Sequence, residues 1–221
     1  MKLAQILFSP TAWIYRAKCY NMKYLYSFLL ILLFSAAAFS QETGYQVGQP
    51  VQHFTLTGPD GKSVSLADYA ASKAVVVVFI NQFCPNGRIY GTRLQKLAAA
   101  YSSKGVSFVY INPTISMEDG GPQGKAQADE VLPAGEQMYL LPDPRHQVTK
   151  QFGATKIPEV YVLQATGGNF LLKYKGAIDD NPQLEAGVRD YYLRNALEAV
   201  LAKRPVPIPE KRPFGCLIKR L

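Results

Sequence analysis

Two of the three cysteines in this 221-residue chain stand where a thiol could do chemistry. Cys84 follows a run of β-branched and aromatic residues and precedes Pro85, a residue favoured at the first position of a helix. The unpaired amides and the dipole at a helix start stabilise a thiolate, and Arg88, one turn later, would add positive charge. This pattern indicates a nucleophilic thiol at Cys84. The alternative is a small buried residue without reactivity, which is common for free cysteines.

The second cysteine, Cys216, lies in a basic C-terminal tail whose prolines favour an extended conformation. The chain from Arg204 to Cys216 spans at most about 40 Å when extended, which is enough to reach most points on a domain of this size. Cys216 could therefore pair with Cys84, form a bridge to another molecule or remain a free thiol. The residues themselves leave all three alternatives open.

An apolar run over residues 24–39 resembles a targeting segment. Its end, Ala38 to Ser40, has the small-x-small pattern that signal peptidase accepts, and the run is short for a membrane span, which needs about 20 residues. We therefore predict a cleaved signal over residues 1–40, with Met22 as an alternative start, and export to the periplasm or the cell exterior. An uncleaved segment would instead anchor the protein in a membrane. Cleavage would remove Cys19 and leave two cysteines, which an oxidising compartment permits to pair.

The net charge of +8 comes from the two ends of the chain. Residues 1–40 carry four basic residues and no acidic one, and residues 203–221 carry six basic residues and one acidic residue. The part between them holds 14 basic and 15 acidic residues, so it lacks the basic stripe of a nucleic-acid-binding protein, and we expect no nucleic-acid partner. His53 and His146 have no ligand partners at metal spacing, so we expect no metal and no cofactor and place His146 on the surface.

The elements that position Cys84 can be predicted from periodicity and turn residues. Two short alternating runs around a Gly-Pro-Asp-Gly-Lys turn predict a β-hairpin, and a continuous apolar run predicts a strand buried on both faces. A helix and a second buried strand follow, which makes a parallel βαβ unit with Cys84 at its first junction. The predicted hairpin covers 53–57 and 63–66, the first buried strand 74–80, the helix 86–104 and the second buried strand 106–111. Further helices are predicted over 125–132, 144–152 and 184–201, further strands over 160–163 and 170–174, and a short apolar segment spans 138–141.

This order of elements resembles the thioredoxin fold, an α/β fold, with an N-terminal β-hairpin extension. Local motifs resemble the AhpC/TSA redoxin family, and the resemblance covers nearly all of residues 44–218. The motifs are Val47-Gly48, Phe54-Thr55-Leu56, Phe79 to Pro85, Ile157-Pro158-Glu159-Val160-Tyr161-Val162 and Tyr174-Lys175-Gly176-Ala177-Ile178-Asp179-Asp180. The tail phrase Gly215-Cys216-Leu217-Ile218 resembles the ending of an exported subgroup. The resemblance implies a redoxin domain over residues 41–203, followed by the tail over 204–221.

The resemblance also implies a function, that of a thiol-based oxidoreductase. Cys84 would attack a protein disulfide, Cys216 would resolve the mixed disulfide, and an external thiol would restore the reduced state. Two alternatives stay open, which are a thiol peroxidase that reduces hydroperoxides and a binding module without enzymatic activity. The resemblance further implies a cis bond before Pro158 that faces the cysteine. Glu159, beside it, is either a polar contact in the cleft or an ordinary acid at a strand edge.

Four positions depart from the patterns of these relatives. Gly87 stands where thioredoxins carry the second cysteine of Cys-x-x-Cys, and Arg88 stands where copper chaperones carry that of Cys-x-x-x-Cys. Asn81 replaces the threonine that peroxiredoxins carry three residues before the reactive cysteine, and Val78 replaces the buried acid of thioredoxins. No family mechanism therefore transfers intact, and a resolving thiol has to come from elsewhere, either from Cys216 or from an external thiol.

Overall fold

The computed structural model describes residues 44–113 and 138–218. The predicted signal and the predicted helix over 125–132 lie outside these residues. The strands are β1 (Pro50–Val51), β2 (Thr55–Thr57), β3 (Ser63–Ser65), β4 (Ala74–Phe79), β5 (Val106–Pro113), β6 (Leu140–Asp143), β7 (Lys156–Ile157), β8 (Glu159–Thr166), β9 (Asn169–Gly176), β10 (Glu210–Lys211) and β11 (Cys216–Leu217). The helices are α1 (Pro85–Ser102), α2 (Gln147–Phe152) and α3 (Tyr192–Leu201), with 3-10 turns at Leu66–Tyr69 and Glu185–Gly187. None of these helices has the length and apolar character needed to cross a membrane.

The central sheet has the strand order β1-β9-β8-β4-β5-β6, and β10 adds to β9. β4 runs parallel to β5 and antiparallel to β8, so it lies in the middle of the sheet. All six residues of β4 are buried, as expected for a continuous apolar run covered on both faces. β2 and β3 form a separate hairpin, which lies between β1 and β4 in the chain. The predicted α/β fold with a βαβ unit and an N-terminal hairpin is confirmed.

Alternate residues of β4 face two different apolar layers, because successive side chains of a strand point to opposite faces. Val76 and Val78 belong to a layer that includes residues of α1 and α3, among them Leu94 and Leu197. Val75, Val77 and Phe79 belong to a second layer with Phe152 of α2, Leu66 and Phe54. Both faces of the sheet are thus buried, which holds the carboxyl end of β4, and the turn that follows it, in one place.

The last helix is shorter than predicted. It begins at Tyr192, and the predicted helix over 184–191 is wrong. Asp180 accepts hydrogen bonds from the backbone amides of Arg189 and Asp190, at 2.9 and 3.1 Å, which closes this segment into a loop. A buried ion pair at 3.0 Å between Asp179 and Arg93 of α1 ties the start of that loop to the domain. Side-chain bonds that capture backbone groups compete with helix formation, and here they prevail.

The helix predicted over 144–152 begins later, at Gln147. The preceding His146 has a left-handed backbone with φ of 52°, and Asp143 accepts the amide hydrogens of Gln147 and Thr149 at 2.9 and 2.8 Å. His146 is buried, so its predicted surface position is wrong. The polar residues around it indicated exposure, but Asp143 satisfies the helix start from inside the fold.

The tail after Lys203 runs in an extended conformation along the domain. β10 pairs in parallel with β9, and Ala177 donates its amide hydrogen to the Lys211 carbonyl at 3.0 Å. A side chain on Gly176 would overlap the Lys211 carbonyl, so a glycine is required for this approach. Beyond β10, the chain crosses to β7 and pairs with it antiparallel through β11. The tail is therefore held at two places, one on each side of residues 212–215.

Candidate active site

Cys84 is the N-cap residue of α1 and follows the turn that closes β4. Buried Asn81 builds that turn, since its side-chain oxygen accepts the Phe83 amide at 2.8 Å and its carbonyl accepts the Cys84 amide at 3.2 Å. Its side-chain amide donates to Asn112 at 2.7 Å and to the Pro113 carbonyl at 3.3 Å, at the end of β5. Asn81 therefore links the ends of two neighbouring strands and fixes the backbone of Cys84.

Gly87 lies in the first turn of α1, packed against the same turn. A side chain at this position would overlap the Asn81 carbonyl oxygen. A second cysteine at position 87 would therefore require the backbone to move. The geometry of this helix start therefore does not accommodate the second cysteine of a Cys-x-x-Cys motif.

Cys84 and Cys216 form a disulfide. Their Cα atoms lie 6.1 Å apart, within the usual range for such a bond. The pairing of Cys84 with Cys216 is confirmed, and the alternatives of a free thiol or an intermolecular bridge do not apply to this state. Cys84 is only 1% exposed, whereas Cys216 is half-buried.

The strand β11 brings Cys216 to this point. Cys216 pairs with Ile157 in β7, and Ile218 donates its amide hydrogen to the Thr155 carbonyl at 3.0 Å. A side chain on Gly215 would overlap the Ile157 carbonyl oxygen, so the tail can approach β7 this closely only with glycine there. Backbone contacts rather than side chains thus set the register of the tail.

Ile218 and the sulfur of Cys84 share a small apolar cluster with Ile157. Ile218 is 8% exposed, and the Cys84 Sγ lies 3.4 Å from the Ile157 carbonyl oxygen. The neighbouring apolar side chains do not hold the tail in this way, because Phe214 is 60% exposed and Leu217 is 69% exposed.

The Ile157–Pro158 peptide bond is cis, which confirms the conformation that the resemblance implied. It follows directly on β7, so it lies next to the residue that pairs with Cys216. The segment from β7 to Pro158 therefore borders the disulfide. The cis bond places the backbone of this segment, and not a further reactive side chain, beside the two sulfurs.

Glu159 supports the same segment from inside. It is 5% exposed, its Oε2 accepts the amide hydrogens of Thr155 and Lys156 at 2.9 and 3.2 Å, and its Oε1 accepts the Tyr161 hydroxyl at 2.9 Å. Burial raises the pKa of Glu159, and these hydrogen bonds act against that shift. Glu159 is therefore not an exposed acid at a strand edge. It is a buried carboxyl group whose hydrogen bonds hold β7 in place.

Arg88 is exposed on the first turn of α1, and none of the ion pairs among the described residues involves it. Pro85 takes the first helical position, as predicted. In residues 44–113 and 138–218 no group of His, Cys, Asp or Glu side chains is placed to hold a metal ion. The chemistry that this arrangement can perform is the opening and closing of one disulfide.

The surroundings of the disulfide include several exposed apolar side chains. Of the large apolar residues that are exposed in the described part of the chain, Phe83, Ile89, Phe214 and Leu217 stand within five positions of Cys84 or Cys216. These four residues come from two segments that are distant in the sequence.

Two solved structures of uncharacterised proteins are similar to the chain. An uncharacterized conserved protein from Geobacillus kaustophilus is 33% identical with a TM-score of 0.66, over 80% of this chain and 93% of that one. A hypothetical protein from Sinorhizobium meliloti 1021 is 26% identical with a TM-score of 0.64, over 80% of this chain and 96% of that one. A putative thiol:disulfide interchange protein DsbE from Chlorobium tepidum shares the fold at 21% identity, with a TM-score of 0.54 and coverage of 72% and 99%.

No curated protein matches the chain. The sequence profile of the AhpC/TSA family matches residues 47–179 of this chain. This match covers more than half of the chain and includes the turn before α1, the helix start and the cis-proline segment. The chain therefore belongs to the AhpC/TSA family.

Proposed function

We propose that this protein is an exported thiol–disulfide oxidoreductase that cycles between a dithiol and the Cys84–Cys216 disulfide. The observation that carries the proposal is the disulfide itself. It joins a helix start, where a thiolate is stabilised, to a tail cysteine beside the cis-proline segment. Membership in a redoxin family supports thiol chemistry at this place.

The reaction with a client proceeds in two exchanges. In the dithiol form the Cys84 thiolate attacks one sulfur of a client disulfide, which forms a mixed disulfide and releases one client thiolate. The Cys216 thiolate then attacks the Cys84 sulfur, which releases the second client thiolate and closes the Cys84–Cys216 disulfide. An external thiol reductant returns the pair to the dithiol. Pro85, Pro158 and Glu159 support these steps by holding the backbone around the sulfurs, and Arg88 supplies positive charge near the helix start.

The hydroperoxide alternative has weaker support at Asn81. Cleavage of an O–O bond needs donors directed at the peroxide. Both polar groups of the Asn81 side chain are already hydrogen-bonded, since its NH₂ group donates to Asn112 and to the Pro113 carbonyl and its oxygen accepts from the Phe83 amide. The site therefore favours a disulfide over a peroxide as the oxidant.

The test uses single-cysteine variants and a protein substrate. Reduced Cys216→Ser should accumulate a mixed disulfide between Cys84 and oxidised insulin, visible on a non-reducing gel, whereas Cys84→Ser should form none. Leu217→Ser, which changes an exposed neighbour on the same tail, is the matched control and should turn over as the wild type does. Wild-type turnover in Cys84→Ser would overturn the proposal. Faster oxidation of the wild type by hydrogen peroxide than by the disulfide would favour the peroxidase.

Export is the second part of the proposal, and the apolar run over residues 24–39 supports it. We propose that residues 1–40 are removed and that the mature protein, which starts at Gln41, consists of the redoxin domain to residue 203 and the tail from 204. N-terminal sequencing of the protein from the producing cell tests this. A membrane-bound protein that retains residues 24–40 would overturn cleavage and favour the anchor.

A further inference from the structure

The two cysteines of the oxidised site differ in their exposure to solvent. Cys84 is 1% exposed, and Ile157 and Ile218 cover it. Cys216 is half-buried on a tail whose neighbouring side chains Phe214 and Leu217 are mostly exposed. An incoming thiolate therefore meets the sulfur of Cys216 first, although Cys84 occupies the helix start.

The same arrangement decides which sulfur leaves. A thiolate attacks one sulfur of a disulfide and expels the other, and expulsion is faster for a sulfur that is stable as a thiolate. Cys84 stands at the N-cap of the 18-residue helix α1, where the first amides and the helix dipole stabilise negative charge. Attack on Cys216 with departure of Cys84 is thus favoured by access and by the leaving group together.

We propose that electrons enter the oxidised protein through Cys216, from a dithiol donor that contacts the tail. One donor thiolate attacks the Cys216 sulfur, the bond to Cys84 breaks, and Cys84 leaves as a thiolate that takes up a proton from solvent. The second donor thiol then attacks the donor sulfur of the mixed disulfide, which releases Cys216 as a thiol and the donor as a disulfide. Two electrons pass from the donor to the protein. The inference rests on the proposed function and assigns client and donor to different cysteines, the client to Cys84 and the donor to Cys216.

The tail links the two half-reactions. While the disulfide is closed, Ile218 and β11 cover Cys84, so a client has no access to it. Attack at Cys216 breaks the covalent link between β11 and the start of α1, which leaves β11 held by its pairing with β7 and the burial of Ile218. Detachment of β11 from β7 then exposes Cys84 to the client, so the donor acts before the client.

The experiment identifies the sulfur that a thiol attacks first. The oxidised mature protein is mixed with glutathione and quenched early with excess N-ethylmaleimide, and its peptides are mapped by mass spectrometry without reduction. We expect glutathione on Cys216 and the alkyl label on Cys84, with this product in about tenfold excess because exchange rates follow access to the sulfur. Glutathione mainly on Cys84 would overturn the inference but leave the proposed function intact. Failure of glutathione to open the disulfide, and of dithiothreitol to reduce it, would overturn both.

A pair of tail variants tests the cause. Ile218→Ser removes the side chain that covers Cys84 and should shift the product ratio toward glutathione on Cys84. Leu217→Ser changes a side chain that is already exposed and should leave the ratio unchanged. An unchanged ratio in Ile218→Ser would mean that burial under the tail does not direct the attack, and would overturn the inference.

Discussion

Replacement of Cys216 by serine removes the covalent link between the tail and the start of α1, and its cost can be worked out from the length of the loop. The two cysteines are separated by 132 positions, and closing a loop of that size restricts the unfolded chain by about 5 kcal/mol in the chain-entropy description. This value applies if the tail remains docked in the folded state. Removal of native disulfides costs about 2–5 kcal/mol, so we expect a loss of unfolding free energy within this range.

The tail contacts decide where in that range the loss falls. Without the link, β11 is held by its pairing with β7 and by the burial of Ile218, a side chain worth roughly 1.5–3 kcal/mol. If these contacts hold, the folded state is unchanged and the loss approaches the upper value. If β11 detaches, the folded chain regains freedom and the loss is smaller.

The assay is urea unfolding of the oxidised wild type, the reduced wild type and Cys216→Ser, followed by circular dichroism. The reduced wild type and Cys216→Ser should unfold at the same midpoint, below that of the oxidised protein. Leu217→Ser is the matched control and should stay within about 0.5 kcal/mol of the wild type, since its side chain is exposed. A loss below about 1 kcal/mol in Cys216→Ser would refute the reasoning, because the disulfide would then not restrain the unfolded chain.

Further predictions concern three residues that hold the site. Glu159→Ala leaves the amide groups it binds without an acceptor and should cost about 1–3 kcal/mol per group in urea unfolding, whereas Glu159→Gln keeps an acceptor and should cost less. Burial raises the folded pKa of Glu159 above its unfolded value of 4.5. The contribution of Glu159 to stability is therefore greatest below pH 4.5 and falls as the pH rises through the folded pKa. The unfolding free energy of Glu159→Gln, measured against pH, should lack this fall. Gly87→Ala should lower the thermal midpoint, because overpacking against Asn81 costs about 1–3 kcal/mol. The matched control is Gly91→Ala on the same helix, where the added methyl group makes only an ordinary contact, and this variant should raise the thermal midpoint. Asn81→Ala leaves the Phe83 amide unpaired and should lower the unfolding free energy by about 1–3 kcal/mol. Because the turn before α1 is then less well held, alkylation of reduced Cys84 should be faster. An unchanged alkylation rate would mean that Asn81 does not hold the turn.

The elements around Cys84 were predictable because each follows from residues close in sequence. The unbroken apolar run of β4 required burial on both faces, and Pro85 marked the start of α1. The predicted strand, turn and helix therefore place Cys84 at a helix start without reference to any tertiary contact. The cis bond before Pro158 came from the family resemblance and not from the dipeptide.

The pairing of Cys84 with Cys216 was one of three alternatives, because it depends on a backbone contact between distant segments. The register between β11 and β7 and the close approach of Gly215 to Ile157 decide it. Neither contact produces a periodic pattern in the sequence. A two-residue strand is too short to be predicted from its side chains.

The role of Asn81 and two details of the fold were not predictable for a related reason. Asn81 binds a partner 31 positions away, and this contact shows no local spacing. The loop before α3 and the left-handed residue His146 were mistaken for helix and for surface, because Asp180 and Asp143 satisfy nearby amides by side-chain bonds. In each case a polar side chain accepts a hydrogen bond from a backbone amide in place of a backbone carbonyl. Such side-chain hydrogen bonds leave no periodic pattern in the sequence.

The pairing of β10 with β9 determines how far the tail cysteine can travel. As long as Lys211 stays hydrogen-bonded at Ala177, the chain from Lys211 to Cys216 is a tether of five residues with a reach of about 17 Å. A thiol confined to so small a volume has an effective concentration in the millimolar range or above, far higher than that of a free thiol in dilute solution. In the proposed cycle, the tether therefore makes release of a client rapid and limits clients to those that leave room for Cys216 within this radius.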